Sequence, residues 1–490
     1  MPTPAVCATV TASTMAELRR RRDAVEGADL VELRLDTVRD PSAAGALEGR
    51  RLPVVVTCRP TWEGGRFAGA EEERRRILAD ALALGAEYVD VEWRARFAEL
   101  VGQADGRRIV LSTHDFDGVP RDLNERVRAM QATGAEVVKV AAQTTCLGDC
   151  VPLLDLAAQT ARDANLILIG MGEAGVATRV LAGRAGAPWT SAGALAELGQ
   201  VDLRTLLDGY RFRSIGRQTG VYGLVGAPIG HSVSPAMHNA AFAAARLDAV
   251  YLPLPAASAA DFVRFARAAG LRGASVTVPF KVPLFEQVDE ACPVARRIGA
   301  INKIRIEGSR WVGANTDASG FLSTLRGVVP LERTRAAVLG AGGAARAVAS
   351  ALAAAGAAVR IHARDRARAE EVARLTAASA GGWPPAAGSW DLLVNCTPVG
   401  MHPKGDETPL PAADLTGACV YDLIYNPPLT RLLREARQAG CQVVGGLEML
   451  VAQAQEQFQW WTGVKPQPGV MREAALKQLA EFARDEHHLV

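Results

Sequence analysis

From residue 4 to about residue 205, short apolar runs alternate with amphipathic stretches. Ala5–Thr11, Leu30–Leu35, Pro53–Cys58, Tyr88–Glu92, Ile109–Thr113, Val137–Ala141 and Leu166–Met171 read as strands, with a weaker eighth near Trp189–Ala192. Between them lie helical patterns such as Ala70–Leu84 and Leu123–Gly134. Apolar runs suited to burial on both faces, separated by helices, predict parallel βα units. Eight of these in about 200 residues predict a compact (β/α)8 barrel, a fold that carries its chemistry at the C-terminal ends of the strands.

The pattern then changes. Arg213–Thr219 is polar and reads as a linker. A new α/β region follows, with strands at Val221–Val225, Ala249–Pro253 and Gly273–Val278 and a helix at Ser234–Arg246. At Ala336–Leu339 a strand runs into Gly340-Ala341-Gly342-Gly343-Ala344-Ala345 and an alanine-rich helix ending near Gly356, the layout of a dinucleotide-binding loop. Ala377–Ser389, rich in Ala, Gly and Pro, reads as a surface loop. Leu447–Trp461 reads as a helix whose face carries Met449, Gln453 and Gln457. The expected organisation is therefore α/β throughout. A barrel spans 1–212 and a linker 213–219. A substrate domain at 220–325 is completed by helices in 447–485, and a Rossmann domain spans 326–446.

Composition narrows the function class. The 490 residues are 49% hydrophobic and 22% charged, with a net charge of +2, so no electrostatic pull toward nucleic acid or anionic membrane is expected. The uncharged stretch Gln218–Ala245 is broken by Pro228, His231, Pro235 and Asn239 and does not read as a membrane span. With no Lys or Arg before Arg19, the N-terminus lacks the charged start of a secretory signal. The eight scattered cysteines suggest free thiols in a reducing, cytoplasmic setting, and Cys146 with Cys150 lacks a neighbouring His to suggest zinc. Lysine occurs at only six positions, so each lysine kept in an apolar run calls for a reason.

Lys139 is the first, in Ala135-Glu136-Val137-Val138-Lys139-Val140-Ala141. A buried lysine near arginines loses its proton readily and becomes a nucleophilic amine able to form a Schiff base with a ketone. His114 ends the preceding strand and suits general acid–base work, and Glu92, ending the strand before that, is a candidate to orient it. The alternative is a lysine snorkelling at the rim beside a structural histidine. Other strand ends are also charged: Glu32-Leu33-Arg34-Leu35-Asp36, Thr57-Cys58-Arg59-Pro60 and then Glu63-Gly64-Gly65-Arg66, with Arg179 and Gly199-Gln200 further on. This order of ELRLD, TCRPTWEGGRF, STHDF, VKVA and a final GQ resembles the type I 3-dehydroquinate dehydratases. The resemblance implies syn elimination of water from 3-dehydroquinate, with Lys139 as the imine former, His114 as base and acid and Glu92 as its support. It also implies that Arg179 pairs with the substrate carboxylate, that Glu32, Arg34, Arg59 and Gln200 contact hydroxyls or order the site, and that Met171 packs on the ring. The family usually ends in Ser-Ala-Pro-Gly-Gln, where this chain reads Ala196-Glu197-Leu198-Gly199-Gln200.

The second half carries another lysine after a buried-looking strand, Lys281, and an aspartate, Asp317, that could hold it as a proton donor beside a carbonyl or alcohol. A structural salt bridge is the plain alternative. Ser232 and Ser234 precede a helix, where serines cap backbone amides or leave the helix start free for a carboxylate. GHSVSP, SVTVPFK, GAINK, GANTD, GAGGAARA, VNCTPVGM and GGLEMLVAQ follow in this order, and together they resemble the shikimate dehydrogenases. By that resemblance Lys281 and Asp317 act at the reacting carbonyl. Ser232 and Ser234 bind the carboxylate, Tyr425 lies near it, and Thr277, Asn302 and Gln453 hold hydroxyls. Gly340, Ala341, Gly342, Gly343 and Ala344 would cradle the NADP pyrophosphate, Arg364 and Arg368 its 2′-phosphate, and Thr397 and Met449 would border the nicotinamide. The family's usual Asn-Arg-Thr is replaced by Ala363-Arg364-Asp365, and Asp365 is the residue that would suit NAD.

Taken together, the halves resemble a fused enzyme of the aromatic amino-acid route, turning 3-dehydroquinate through 3-dehydroshikimate into shikimate with NADPH and no metal. The expected partners are small molecules, with neither nucleic acid nor membrane; monomer and homodimer both fit the sequence. Two alternatives accompany this reading: a catabolic quinate or shikimate dehydrogenase using NAD, and a barrel that has lost catalysis and serves as a binding module.

Overall fold

The computed structural model describes residues 4–160, 165–195 and 198–487. They form two compact units, one of residues 1–221 with 248–270 and one of 222–247 with 271–490.

The first unit is built on eight parallel strands: β1 Ala5–Val10, β2 Leu30–Arg34, β3 Val54–Thr57, β4 Tyr88–Glu92, β5 Ile109–Asp115, β6 Val137–Gln143, β7 Leu166–Met171 and β8 Trp189–Ala192. Each pairs with its sequence neighbour from β1 to β7, and β8 closes back on β1. The barrel is thus nearly closed, with β7 and β8 as the ends of the hydrogen-bonded order. The two-residue period of a strand sorts the side chains. Val31, Val54, Val56, Val89 and Val91 face outward and pack with Leu78, Val127 and Leu153 of the surrounding helices. Cys7, Leu30, Val55, Tyr88, Val110 and Val137 fill the inside. Two positions further along the same strands, the same inward parity brings Thr9, Glu32, Thr57, Asp90, Ser112 and Lys139 to the C-terminal end. A polar layer therefore sits on an apolar plug. The expected strands match within two residues at either end, including the weak eighth.

In the second unit, Leu271–Val276 runs antiparallel to Lys303–Glu307, which forms a hairpin with Arg310–Ala314. The C-terminal helix Val470–His487 packs along Ser234–Ala244, so the end of the chain returns to this lobe. Beyond it lies a wholly parallel sheet in the spatial order Ser379–Ala380, Ala358–His362, Arg335–Leu339, Leu392–Asn395, Cys419–Asp422, Gln442–Val444. The order reverses beside Arg335–Leu339, which makes its C-terminal edge the natural crevice of a doubly wound fold. The segment read as a loop at Ala377–Ser389 contains the edge strand Ser379–Ala380, too short to leave a sequence signal.

Among the described residues no helix is long and apolar enough to cross a membrane. All eight cysteines are free thiols.

Candidate active sites

The barrel's polar layer lines a pocket of about 590 Å³ that includes Thr9, Glu32, Arg34, Arg59, Glu63, His114, Lys139, Met171, Arg179 and Gln200. Lys139 is only 8% exposed, so its amine does not snorkel out. Nζ lies 3.3 Å from Asp90 Oδ2 and 3.9 Å from Glu32 Oε1. His114 is held from a loop: its backbone N–H donates to Glu63 Oε1 at 2.9 Å, and ring Nδ1 lies 3.0 Å from the same oxygen. With Nδ1–H donating there, the Nε2 lone pair is left for the pocket. Burial, reinforced by Arg59 and Lys139, pushes the His114 pKa well below its usual value, so the ring is a neutral base at neutral pH. Burial raises Glu63 to about 7 against the pull of Arg59.

Arg59 Nη1 donates to Glu92 Oε1 and Ser112 Oγ, each at 2.8 Å, and Nη2 pairs with Asp90 Oδ1 at 3.0 Å. Arg34 is clamped by Asp36 through two 2.8 Å bonds, and Thr57 donates to Glu32 at 2.8 Å. Arg179 donates from Nη2 to the Leu198 carbonyl at 2.8 Å. Its buried Nε has no hydrogen-bond partner among the described residues, and neither do Glu63 Oε2 and Thr9 Oγ1. Burial pulls Arg179 down to about 10, against the pull of Glu32. The Gln200 side-chain carbonyl accepts from the Leu195 amide at 3.1 Å. Ala196 and Glu197 of the altered tail lie outside the described residues.

In the second unit Lys281 Nζ donates to Asp317 Oδ2 at 2.5 Å. Asn302 Nδ2 donates to Asp317 Oδ1 at 2.9 Å and to Thr316 Oγ1 at 3.0 Å, which fixes the carboxylate from its other side. The Asp317 amide donates to Asn315 Oδ1 at 2.8 Å. The helix Ser234–Ala244 has no side-chain cap on its N-cap residue; instead Ser232 Oγ, two residues before the helix starts, accepts from the Ser234 amide at 3.2 Å. Burial raises the Tyr425 phenol, opposed by its hydrogen bond with Ser232, so these two sequence-selected residues meet. Thr277 is half-buried beside Gly226. Gln453 and Met449 pack on Gly320, whose lack of a side chain lets the helix Leu447–Thr462 come close.

Gly340 has φ +108°, a conformation that favours glycine, and it sits against Cys396 and Thr397 at the crevice. Gly342 caps the helix Gly343–Ala354 with open space where a side chain would project. Ala344 lies in the first turn of that helix, with half-buried Ala341 just ahead of it. A Cβ on Gly343 would come 3.0 Å from Lys281 Cβ, so the Lys281–Asp317 pair and the glycine loop share one cleft. Thr397 donates from N and Oγ1 to Asn395 Oδ1, at 3.0 and 2.7 Å.

Known proteins combine these two sites. A type I 3-dehydroquinase model matches residues 6–217, a shikimate dehydrogenase substrate-binding domain matches 224–304, and a shikimate 5′-dehydrogenase C-terminal domain matches 446–476. The chain is 35% identical to the chloroplastic bifunctional 3-dehydroquinate dehydratase/shikimate dehydrogenase of Arabidopsis thaliana, over 89% of this chain and 78% of that one. It belongs to this bifunctional family. The NADP+ shikimate dehydrogenase of Methanothermobacter thermautotrophicus is 42% identical over 54% of this chain and 98% of its own. A crystal structure of a shikimate dehydrogenase with NADP+ aligns with TM-score 0.50 at 35% identity, covering 54% of this chain and 96% of that one.

One residue of this bifunctional enzyme needs reassignment. Glu92 does not touch His114. It is fully buried and gripped between Arg59 and Arg74. The carboxylate on His114 is Glu63, which sequence reasoning left without a role. The short turn Thr61–Glu63 ends at Gly64, φ +75°, and a side chain on Gly65 would collide with the Arg59 carbonyl, so the chain folds back over β5 only with two glycines there. Glu-Gly-Gly was the available signal.

The crevice of the bifunctional enzyme fits a dinucleotide phosphate: an open helix start at Gly342 with exposed Arg364 and Arg368 beyond the next strand. Asp365 caps the helix Arg366–Leu375, its Oδ1 accepting from the Arg368 amide at 3.2 Å. Its presence is thereby explained without a ribose contact.

Proposed function

We infer that this chain converts 3-dehydroquinate to shikimate on one polypeptide, by Schiff-base dehydration in the barrel and NADPH-dependent reduction in the second unit. The observation that carries this reading is the pair of complete sites in one chain, where the dehydration product is the substrate for reduction. Residues 1–212 would form the dehydratase, 220–325 with 447–485 the shikimate-binding domain and 326–446 the NADP domain, joined by 213–219.

In the barrel, Lys139 Nζ adds to the substrate ketone and water leaves as the imine forms. His114 Nε2 removes the adjacent proton and returns it to the departing hydroxyl, while Glu63 keeps the ring's other nitrogen protonated. Hydrolysis of the imine releases 3-dehydroshikimate and frees the lysine. Arg179 receives the carboxylate, with Glu32, Arg34, Arg59 and Gln200 around the hydroxyls. In the second unit Lys281, held on Asp317, supplies the proton to the reduced carbonyl oxygen. Ser232, Ser234 and Tyr425 hold the carboxylate, and Thr277, Asn302 and Gln453 the ring hydroxyls. Gly340 to Ala344 would hold the pyrophosphate, Arg364 and Arg368 the 2′-phosphate, and Thr397 and Met449 the nicotinamide side. The nicotinamide supplies the hydride when bound. The helix-capping role of Asp365 removes the main support for an NAD-dependent enzyme, and the retained Lys139, His114 and Glu63 argue against an inactive barrel. Eight free thiols suit a reducing compartment, which we take to be the cytoplasm.

Purified protein given 3-dehydroquinate and NADPH should oxidise NADPH and yield shikimate by mass. Turnover only when 3-dehydroshikimate is supplied would sink the dehydratase half.

A further inference from the structure

We propose that Asp90 is the counter-ion of the cationic imine formed on Lys139, a positioning residue whose fixed charge keeps the covalent intermediate protonated. The inference rests on the dehydratase reading above. Asp90 is fully buried at the inward-facing centre of β4. One oxygen, Oδ1, is held from behind by Ser112 Oγ at 2.5 Å and Arg59 Nη2 at 3.0 Å. The other, Oδ2, is thereby turned toward Lys139 Nζ at 3.3 Å.

The geometry separates two carboxylates near the amine. Glu32 is further away, accepts a hydrogen bond from Thr57 and lines the pocket, so it faces the substrate. Asp90 does not line the pocket and sits beneath the amine, where substrate does not displace it. When Nζ bonds to the ketone carbon, one amine proton and one proton from solvent leave with the oxygen as water, and the nitrogen retains its other proton and a positive charge. That charge makes the imine an electron sink for the carbanion formed beside it. It arises amid Arg34, Arg59 and Arg179, all unfavourable neighbours. A buried cation without a counter-ion gives up its proton. The groups facing Asp90 from neighbouring elements are Cys7 on β1, Glu32 on β2, Arg59 and Glu63 after β3, His114 on β5 and Lys139 on β6; Glu92 shares its own strand. Arg59 and Lys139 overcome the effect of burial and hold the Asp90 carboxyl below the usual range, so it is anionic throughout the working pH.

The test is borohydride reduction in the presence of 3-dehydroquinate, which adds hydride to the imine carbon and leaves a permanent mass increase on Lys139. Wild-type enzyme should trap across neutral pH; absence of an adduct there would overturn the dehydratase reading itself. In Asp90→Asn the trapping rate at pH 7.5 should fall about tenfold or more, and the pH profile of trapping should move to lower pH by about one unit, since the cation survives only where protons are more abundant. Asp90→Glu should restore the profile. An adduct in wild type with an unmoved profile in Asp90→Asn would overturn the counter-ion assignment alone. If Asp90→Asn does not fold, the unreduced covalent complex of wild-type enzyme with substrate carrying 13C at the ketone carbon, formed without borohydride, decides by NMR: a protonated imine at pH 8 is expected, and a neutral one overturns the proposal.

Discussion

Glu63 and Glu92 are both buried carboxylates beside Arg59, yet their replacement by glutamine should fail in different ways. In Glu63→Gln the new amide oxygen can still accept from the His114 backbone and ring, so the geometry survives while the charge is lost. A hydrogen bond to a charged partner is worth about 1.5–3 kcal/mol and a neutral one about 0.5–1.5. The difference of about 1–2 kcal/mol predicts a kcat for dehydration roughly fivefold to thirtyfold lower, with the barrel's melting temperature nearly unchanged. In Glu92→Gln the anion between Arg59 and Arg74 disappears, leaving two buried guanidiniums facing a neutral group. Breaking such a pair costs about 3–5 kcal/mol. At roughly 2–4 °C per kcal/mol for a unit of this size, the barrel's unfolding transition should fall by about 6–20 °C. The assay pairs appearance of the conjugated enone, read by ultraviolet absorbance from 3-dehydroquinate, with calorimetry on the same samples. Wild-type kcat in Glu63→Gln, together with a tenfold or larger loss in a thermally intact Glu92→Gln, would refute the reassignment and return Glu92 to His114.

The same pair predicts the pH dependence. With Glu63 at about 7 and His114 well below its usual value, kcat/KM for dehydration should rise through pH 7 in the wild type, and Glu63→Gln should flatten that rise. In the second unit, Asp365→Ala should cost about 1 kcal/mol through loss of a helix cap and leave the NADPH-to-NADH preference unchanged in steady-state kinetics. Arg364→Ala should raise KM for NADPH about tenfold and barely alter that for NADH, the loss of one charge-assisted contact of about 1.4 kcal/mol. Asp422 is buried and accepts from Thr430 Oγ1, the Ile424 amide and Asn395 Nδ2; burial, opposed by these bonds, raises it to about 6. A carboxyl raised in the folded state stabilises it fully below pH 4 and loses that contribution as pH climbs to about 6, here about 3 kcal/mol. Urea unfolding of Asp422→Asn should therefore show a flatter decline between pH 4.5 and 6.5 than the wild type.

How much of this was legible depends on whether a residue's role follows from strand periodicity or from the path of a loop. Lys139, Glu32 and His114 could be found because inward parity and a strand end fix where each one points. The same logic misled at Glu92, which ends β4 next to the strand of His114 and has the right chemistry. In the register, Glu92 pairs with Ser112, two residues short of His114. Its carboxylate meets Arg74, which stands on the helix Glu71–Ala83 behind the barrel wall, and stacks there on Phe97. No sequence period announces a fully buried arginine reaching in from a helix. Glu63 failed to stand out for the opposite reason: it belongs to no strand, and only the left-handed turn at Gly64 brings it over β5. Asp365 shows a third kind of ambiguity, since an acid at the start of that helix serves a ribose or a backbone amide equally well until the Arg368 amide is seen to occupy it. Within the polar layer Glu32 and Lys139 were readable because they repeat the parity of the apolar plug beneath them, while Thr9, Asp90 and Ser112 were not singled out. Which carboxylate serves which cation was not readable, because that choice is made among groups a few ångströms apart, by turns and helices rather than by the strands that carry them.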